Sequence, residues 1–71
     1  MNKTEIVSEL FERFDGDDTW VDFIKRNRNK SAEIVWGNLL EQIEIVDNGK
    51  IDSLDYIFDN YEELHSEYRN R

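Results

Sequence analysis

The stretch "IEIVDNGKID", residues 43 to 52, can be read in two ways, and the choice decides the fold class. Alternating Ile43 and Ile45, followed by Asn48-Gly49 and then by Lys50 and Ile51, suit a small β-hairpin. Gly49 behind the polar pair Asp47-Asn48 suits the C-terminal cap of a helix just as well. The helical ending is preferred, and it predicts a mainly α protein, a compact bundle of about four short helices. The alternative is an α+β fold with a hairpin somewhere within residues 33 to 52.

Upstream of this stretch, helical spacing dominates. Val35, Leu39 and Ile43 line up with Trp36, Leu40 and Val46, with Ser31 available as N-cap. Gly37 lies inside this helix and weakens it by roughly 1 kcal/mol relative to alanine. Nearer the N-terminus, Ile6, Val7, Leu10, Phe11 and Phe14 predict a helix over about residues 4 to 14, with Thr4 as its cap. "DGDD" at 15 to 18 breaks that pattern, and Thr19 with Asp22 three residues later has the form of a capping box. The helix it opens would bury Trp20, Phe23 and Ile24. Downstream, Leu54, Ile57, Phe58, Tyr61, Leu64 and Tyr68 follow the steps of one face of a single closing helix. The expected core therefore includes Leu10, Phe14, Trp20, Ile24, Leu40, Ile57, Phe58 and Leu64.

With 71 residues the chain reads as one small acidic domain, 1 to 71, near the lower size limit for independent folding. A core this small has little spare stability to support a catalytic cleft, so binding is favoured over chemistry and an enzyme is not expected. The absence of cysteine excludes a disulfide framework and thiolate metal sites, and suits a reducing cytoplasm. "MNKTEIVSEL" lacks an apolar signal core, and the apolar runs are too short for a membrane span. No membrane association is expected.

Charge is the most informative feature. Seventeen acids oppose nine bases, a net charge of −8. Residues 1 to 24 carry −5, the basic island "KRNRNK" at 25 to 30 carries +4, and residues 31 to 71 carry −7. Such a field repels nucleic acid and attracts basic partners, so direct nucleic-acid binding is not expected. The island is expected to pair with acidic helices, either within the chain or in a homodimer.

Two motifs are weaker than they look. "DNGKIDSLD" is similar to the second half of an EF-hand loop, but Val46 would stand at a ligand position without a side-chain oxygen, and Asp55 would replace the closing bidentate Glu. Neither a metal nor another cofactor is expected. His65 is the single histidine and sits at the margin of the apolar stripe, where a packed or half-exposed ring is expected.

The closing helix carries the functional argument. Asp52, Asp55, Asp59, Glu62, Glu63 and Glu67 fall within an arc of roughly 140° on a single helix, opposite the apolar residues. Over roughly 23 Å of axis this gives about one charge per 4 Å, near the spacing of about 3.4 Å along one DNA strand. Such a face includes three repulsive i, i+4 pairs, Asp55/Asp59, Asp59/Glu63 and Glu63/Glu67, where a face serving solubility alone would interleave lysines. Glu41 and Glu44 extend the acidic theme, and Tyr56 projects into the arc as a candidate interface anchor.

In this general character, and chiefly in Asp52 to Glu67, the chain resembles the phage-encoded DNA mimics. Among them it looks most like host-takeover inhibitors of nucleoid proteins of the histone-like HU type. The resemblance implies an acidic module that occupies the nucleic-acid site of a basic DNA-binding protein, in the cytoplasm of a bacterial host. An antitoxin or immunity-type inhibitor of a basic toxin, and a small structural domain without a charge-specific partner, are the alternatives.

Overall fold

The computed structural model describes residues 1–49 and 53–70. Five helices follow one another: α1 Lys3–Arg13, α2 Val21–Asn27, α3 Ala32–Asn48, α4 Ser53–Asn60 and α5 Glu62–Arg69. The fold is mainly α, with no strand among the described residues. Residues 43 to 48 thus belong to a helix and not to a hairpin arm, and the Gly49 N–H still donates to the Ile45 carbonyl at 3.1 Å. Residues 50 to 52 of the ambiguous stretch lie outside the described residues. Val46, which the EF-hand likeness puts at a ligand position, is buried in the last turns of α3.

By proximity the chain divides into two compact units, Met1–Gly37 and Asn38–Arg71, and α3 contributes to both. In the first unit, α1 is capped by Asn2, two residues before the expected Thr4. The Asn2 side chain accepts from the Glu5 N–H at 2.9 Å, and the Glu5 carboxylate accepts from the Asn2 N–H at 3.2 Å. This reciprocal capping box satisfies two of the four N–H groups that a helix start leaves unpaired. Ile6, Val7 and Leu10 form the buried stripe of α1, and Phe14 closes it.

The turn after α1 needs a glycine. Gly16 has φ +83, in the left-handed region that side chains disfavour. Asp17 then organises the approach to α2, because its side chain accepts from the Thr19 N–H at 2.8 Å while its carbonyl accepts from Trp20 and Val21. Asp17 therefore takes the role expected of Thr19, and Trp20 occupies the N-cap position of α2 without a side-chain cap bond. Trp20, only 2% exposed, lies with its ring stacked on Phe14 at 5.0 Å and meets Phe23 edge-on at 5.7 Å. Asn27 continues the buried face and donates to the Phe23 carbonyl at 2.8 Å, which removes much of the desolvation cost of a buried amide. Ser31 immediately precedes α3, Val35 and Trp36 are buried, and the Lys3 ammonium stands 5.5 Å from the Trp36 ring centroid.

In the second unit, Leu39, Ile43, Val46, Leu54, Ile57, Tyr61 and Leu64 are buried. Leu40 and Phe58, expected in the core, are half-buried. The larger correction concerns the predicted closing helix, which is two helices broken at Tyr61, where φ is −132 and ψ is 80. In a straight helix, residues seven and ten positions apart are separated by about 10 and 15 Å along the axis. Here Phe58 stacks on His65 with ring centroids 4.2 Å apart and on Tyr68 at 5.9 Å, so α5 folds back beside α4. His65 is half-buried, as its place at the stripe margin predicts.

Three physical causes favour the break. Asn60 donates its side-chain amide to the Tyr56 carbonyl at 2.8 Å, a local bond of the kind that competes with helix continuation. A new helix start at residue 62 places Glu62 and Glu63 in a first turn, at the positive end of the helix dipole, and leaves Arg69 in the last turn. One continuous helix would instead carry those carboxylates toward its negative end. Folding back also brings three rings together, and aromatic pairs contribute about 0.5–1.5 kcal/mol beyond their burial.

Candidate partner-binding surface

The break at Tyr61 redistributes the carboxylates that sequence spacing placed on one arc. Asp55 and Asp59 are exposed on α4, one turn apart, while Glu62, Glu63 and Glu67 are exposed on α5. Asp52 lies outside the described residues. Of the three repulsive i, i+4 pairs, Asp55/Asp59 and Glu63/Glu67 remain within helices, whereas Asp59/Glu63 is divided by the corner. A single row of charges over roughly 23 Å is therefore not what the chain presents. It presents two short acidic rows, each on a helix of about 12 Å, joined at a bend.

Glu41 and Glu44 are exposed on α3, within the same unit. Asp47, one turn further on, accepts a hydrogen bond from the Tyr68 hydroxyl at 2.8 Å. That bond ties the end of α3 to α5 and makes Asp47 part of the framework as well as of the surface. Residues 38 to 71 hold nine acids and three bases, a net charge of −6. One of those bases, Arg69, lies 3.4 Å from a Glu62 carboxylate oxygen, with both side chains well exposed. An exposed pair of this kind contributes little to stability, but it lowers the charge available at Glu62.

Tyr56, the candidate interface anchor, is half-buried and meets Tyr61 edge-on at 6.2 Å. Its ring supports the corner, because Tyr61 is the buried residue at which the helix turns. The signal for this was present in the sequence, since Tyr56 and Tyr61 are five apart and would diverge on one straight helix but converge at a bend.

Within the chain, the basic island does not take up the expected pairing with acidic helices. Lys25, Arg26, Arg28 and Lys30 are all exposed, and none forms an ion pair among the described residues. Arg26 instead donates its Nε–H to the Asp22 carbonyl at 3.3 Å. Lys25 and Arg26 lie in the last turn of α2 and Arg28 at its C-cap, where cations suit the negative end of the helix dipole.

No group of acids and histidine able to hold a metal ion occurs among the described residues, and none of their helices is long and apolar enough to cross a membrane. No family model matches the sequence, and neither a curated protein nor a solved structure is significantly similar to it.

Proposed function

We propose that the chain is an acidic protein-interaction module that acts as a DNA mimic. It binds a basic DNA-binding protein, of the HU-like nucleoid class or similar, and covers its nucleic-acid site. The observation that supports this most is the concentration of exposed carboxylates on α4 and α5, in a unit of net charge −6 with a single described base among those helices. A charge pattern of this kind accelerates encounter with a basic surface and disfavours nucleic acid itself.

The bend changes the form of the mimicry. Two short rows meeting at a corner match phosphates that lie along a bent or kinked path better than those along a straight one. Proteins that bend DNA accept such a path, since the deformation cost is offset by the extra contacts it permits. Asp55 and Asp59 on one side of the corner, and Glu62, Glu63 and Glu67 on the other, are the groups assigned to the partner's lysines and arginines. Tyr56 and Tyr61 hold the angle between them.

The test is competition. A purified HU-type protein is bound to labelled duplex DNA and titrated with this chain at low and at high salt. The expected result is displacement of DNA at low salt, with binding to the basic protein weakening as salt rises. Absence of binding at low salt would contradict the proposal.

A further inference from the structure

Beyond the acidic surface, the first unit contains an open cleft of about 250 Å³, lined by the turn at Asp15 and Gly16 and by α2 with the residues that follow it. Val21, Ile24, Lys25 and Arg28 are spaced along one helical face, and all four line this cleft. Its wall is thus apolar toward the start of α2 and cationic toward its end, with Asp15 also on the lining. Asp15, Lys25 and Arg28 are exposed and do not close on one another as an ion pair. Opposite charges therefore line one small concavity without forming an ion pair there.

We infer that this cleft is a binding site for a small zwitterion with an apolar body, a free α-amino acid with an aliphatic side chain. Three features select that class. The volume lies below the roughly 300–1,000 Å³ of pockets for drug-sized ligands, so the concavity matches a small molecule in size. The net charge of −8 opposes the approach of a free anion such as phosphate, whereas a molecule of zero net charge meets no such barrier. Both charges of the ligand also have a counterpart. An α-carboxylate is ionised and an α-amino group largely protonated near neutral pH. The carboxylate goes to the Arg28 guanidinium, which can hold both oxygens, and to Lys25. The ammonium goes to Asp15, and the side chain lies over Val21 and Ile24.

Backbone amide shifts of the full chain, followed during titration at slightly acidic pH, test this directly. The probes are L-leucine, leucinamide without the carboxylate, N-acetylleucine without the ammonium, and inorganic phosphate. Leucine is expected to give saturable shifts at Gly16, Val21 and Lys25, and each derivative to bind about tenfold more weakly, since each loses one charge-assisted contact. Phosphate is expected not to saturate. Arg28→Ala and Asp15→Asn should each weaken leucine by about tenfold while leaving shifts in α4 and α5 unchanged, because both side chains are exposed. No saturable shift with leucine would overturn the inference. So would N-acetylleucine or phosphate binding as tightly as leucine, which would mark the cleft as a cationic patch and nothing more.

Discussion

Residues 1–37 and residues 38–71 use similar helical material but treat charge and aromatic rings differently. The first unit holds eight acids and six bases, net −2, and the second nine acids and three bases, net −6. In the first, Trp20 is buried and meets Phe14 and Phe23, so its rings form a core. In the second, a half-buried Phe58 stacks on His65 and Tyr68, so its rings brace a corner. The contrast shows how a short chain can carry a dense acidic surface. One long helix would accumulate like-charge pairs along its length, whereas two short helices divide them and give the second set of carboxylates a helix start to stabilise.

The largest expected effect lies in the aromatic core of the first unit. Trp20→Ala removes a buried ring and its contacts with Phe14 and Phe23 and should cost about 3–5 kcal/mol, enough to unfold a domain of this size. Chemical denaturation followed by far-ultraviolet circular dichroism reads it, and a loss below about 1 kcal/mol would contradict the assigned core. Phe58→Ala should cost less, about 2 kcal/mol, because its ring is half-exposed and packs at a corner. Hydrogen exchange should show the amides of α5 losing protection while those of α1 keep theirs; equal loss in both would erase the distinction drawn between the units.

Smaller effects test the helix ends and the shared helix. Asn2→Ala breaks the capping box and should destabilise α1 by about 1 kcal/mol, visible as faster exchange in its first turn. Gly37→Ala should act in the opposite direction. A Cβ there meets nothing within 4 Å, and the helical backbone loses the conformational freedom of glycine. A gain of about 0.5–1 kcal/mol in thermal or denaturant stability is expected, and a loss would show that the position needs glycine for another reason.

Much of this fold was legible from periodicity. The stripe of Ile6, Val7, Leu10 and Phe14, the buried Trp20, Phe23 and Ile24, and the row Val35, Leu39, Ile43 and Val46 lie where helical spacing puts them. The caps were less legible because several short polar residues compete at each start. Asn2 and Glu5 form the same three-residue spacing that drew attention to Thr19 and Asp22, and Asp17 stands two residues ahead of Thr19 with a free choice of turn. The corner at Tyr61 was missed because the break contains neither glycine nor proline, and the apolar steps run through it without interruption. What marked it was charge order: Glu62 and Glu63 followed by Arg69 is the sequence of a helix with its own start and end. Exposure of the carboxylates was foreseeable, but their division into two rows was not, since it depends on contacts from Phe58 to residues seven and ten positions away.

The central claim is that the surface of α4 and α5, and not net charge alone, engages a basic DNA-binding protein. Two variants of equal net charge separate these. Asp55→Lys with Asp59→Lys reverses the exposed row on α4, and Glu9→Lys with Glu12→Lys reverses two exposed acids on α1. Each is compared with the wild type for displacement of DNA from an HU-type protein at one fixed salt concentration. The α4 variant should need at least about tenfold more protein for half-displacement, and the α1 variant should stay within about threefold of the wild type. Equal weakening by both variants, or by neither, would contradict the assignment of the binding surface to α4 and α5.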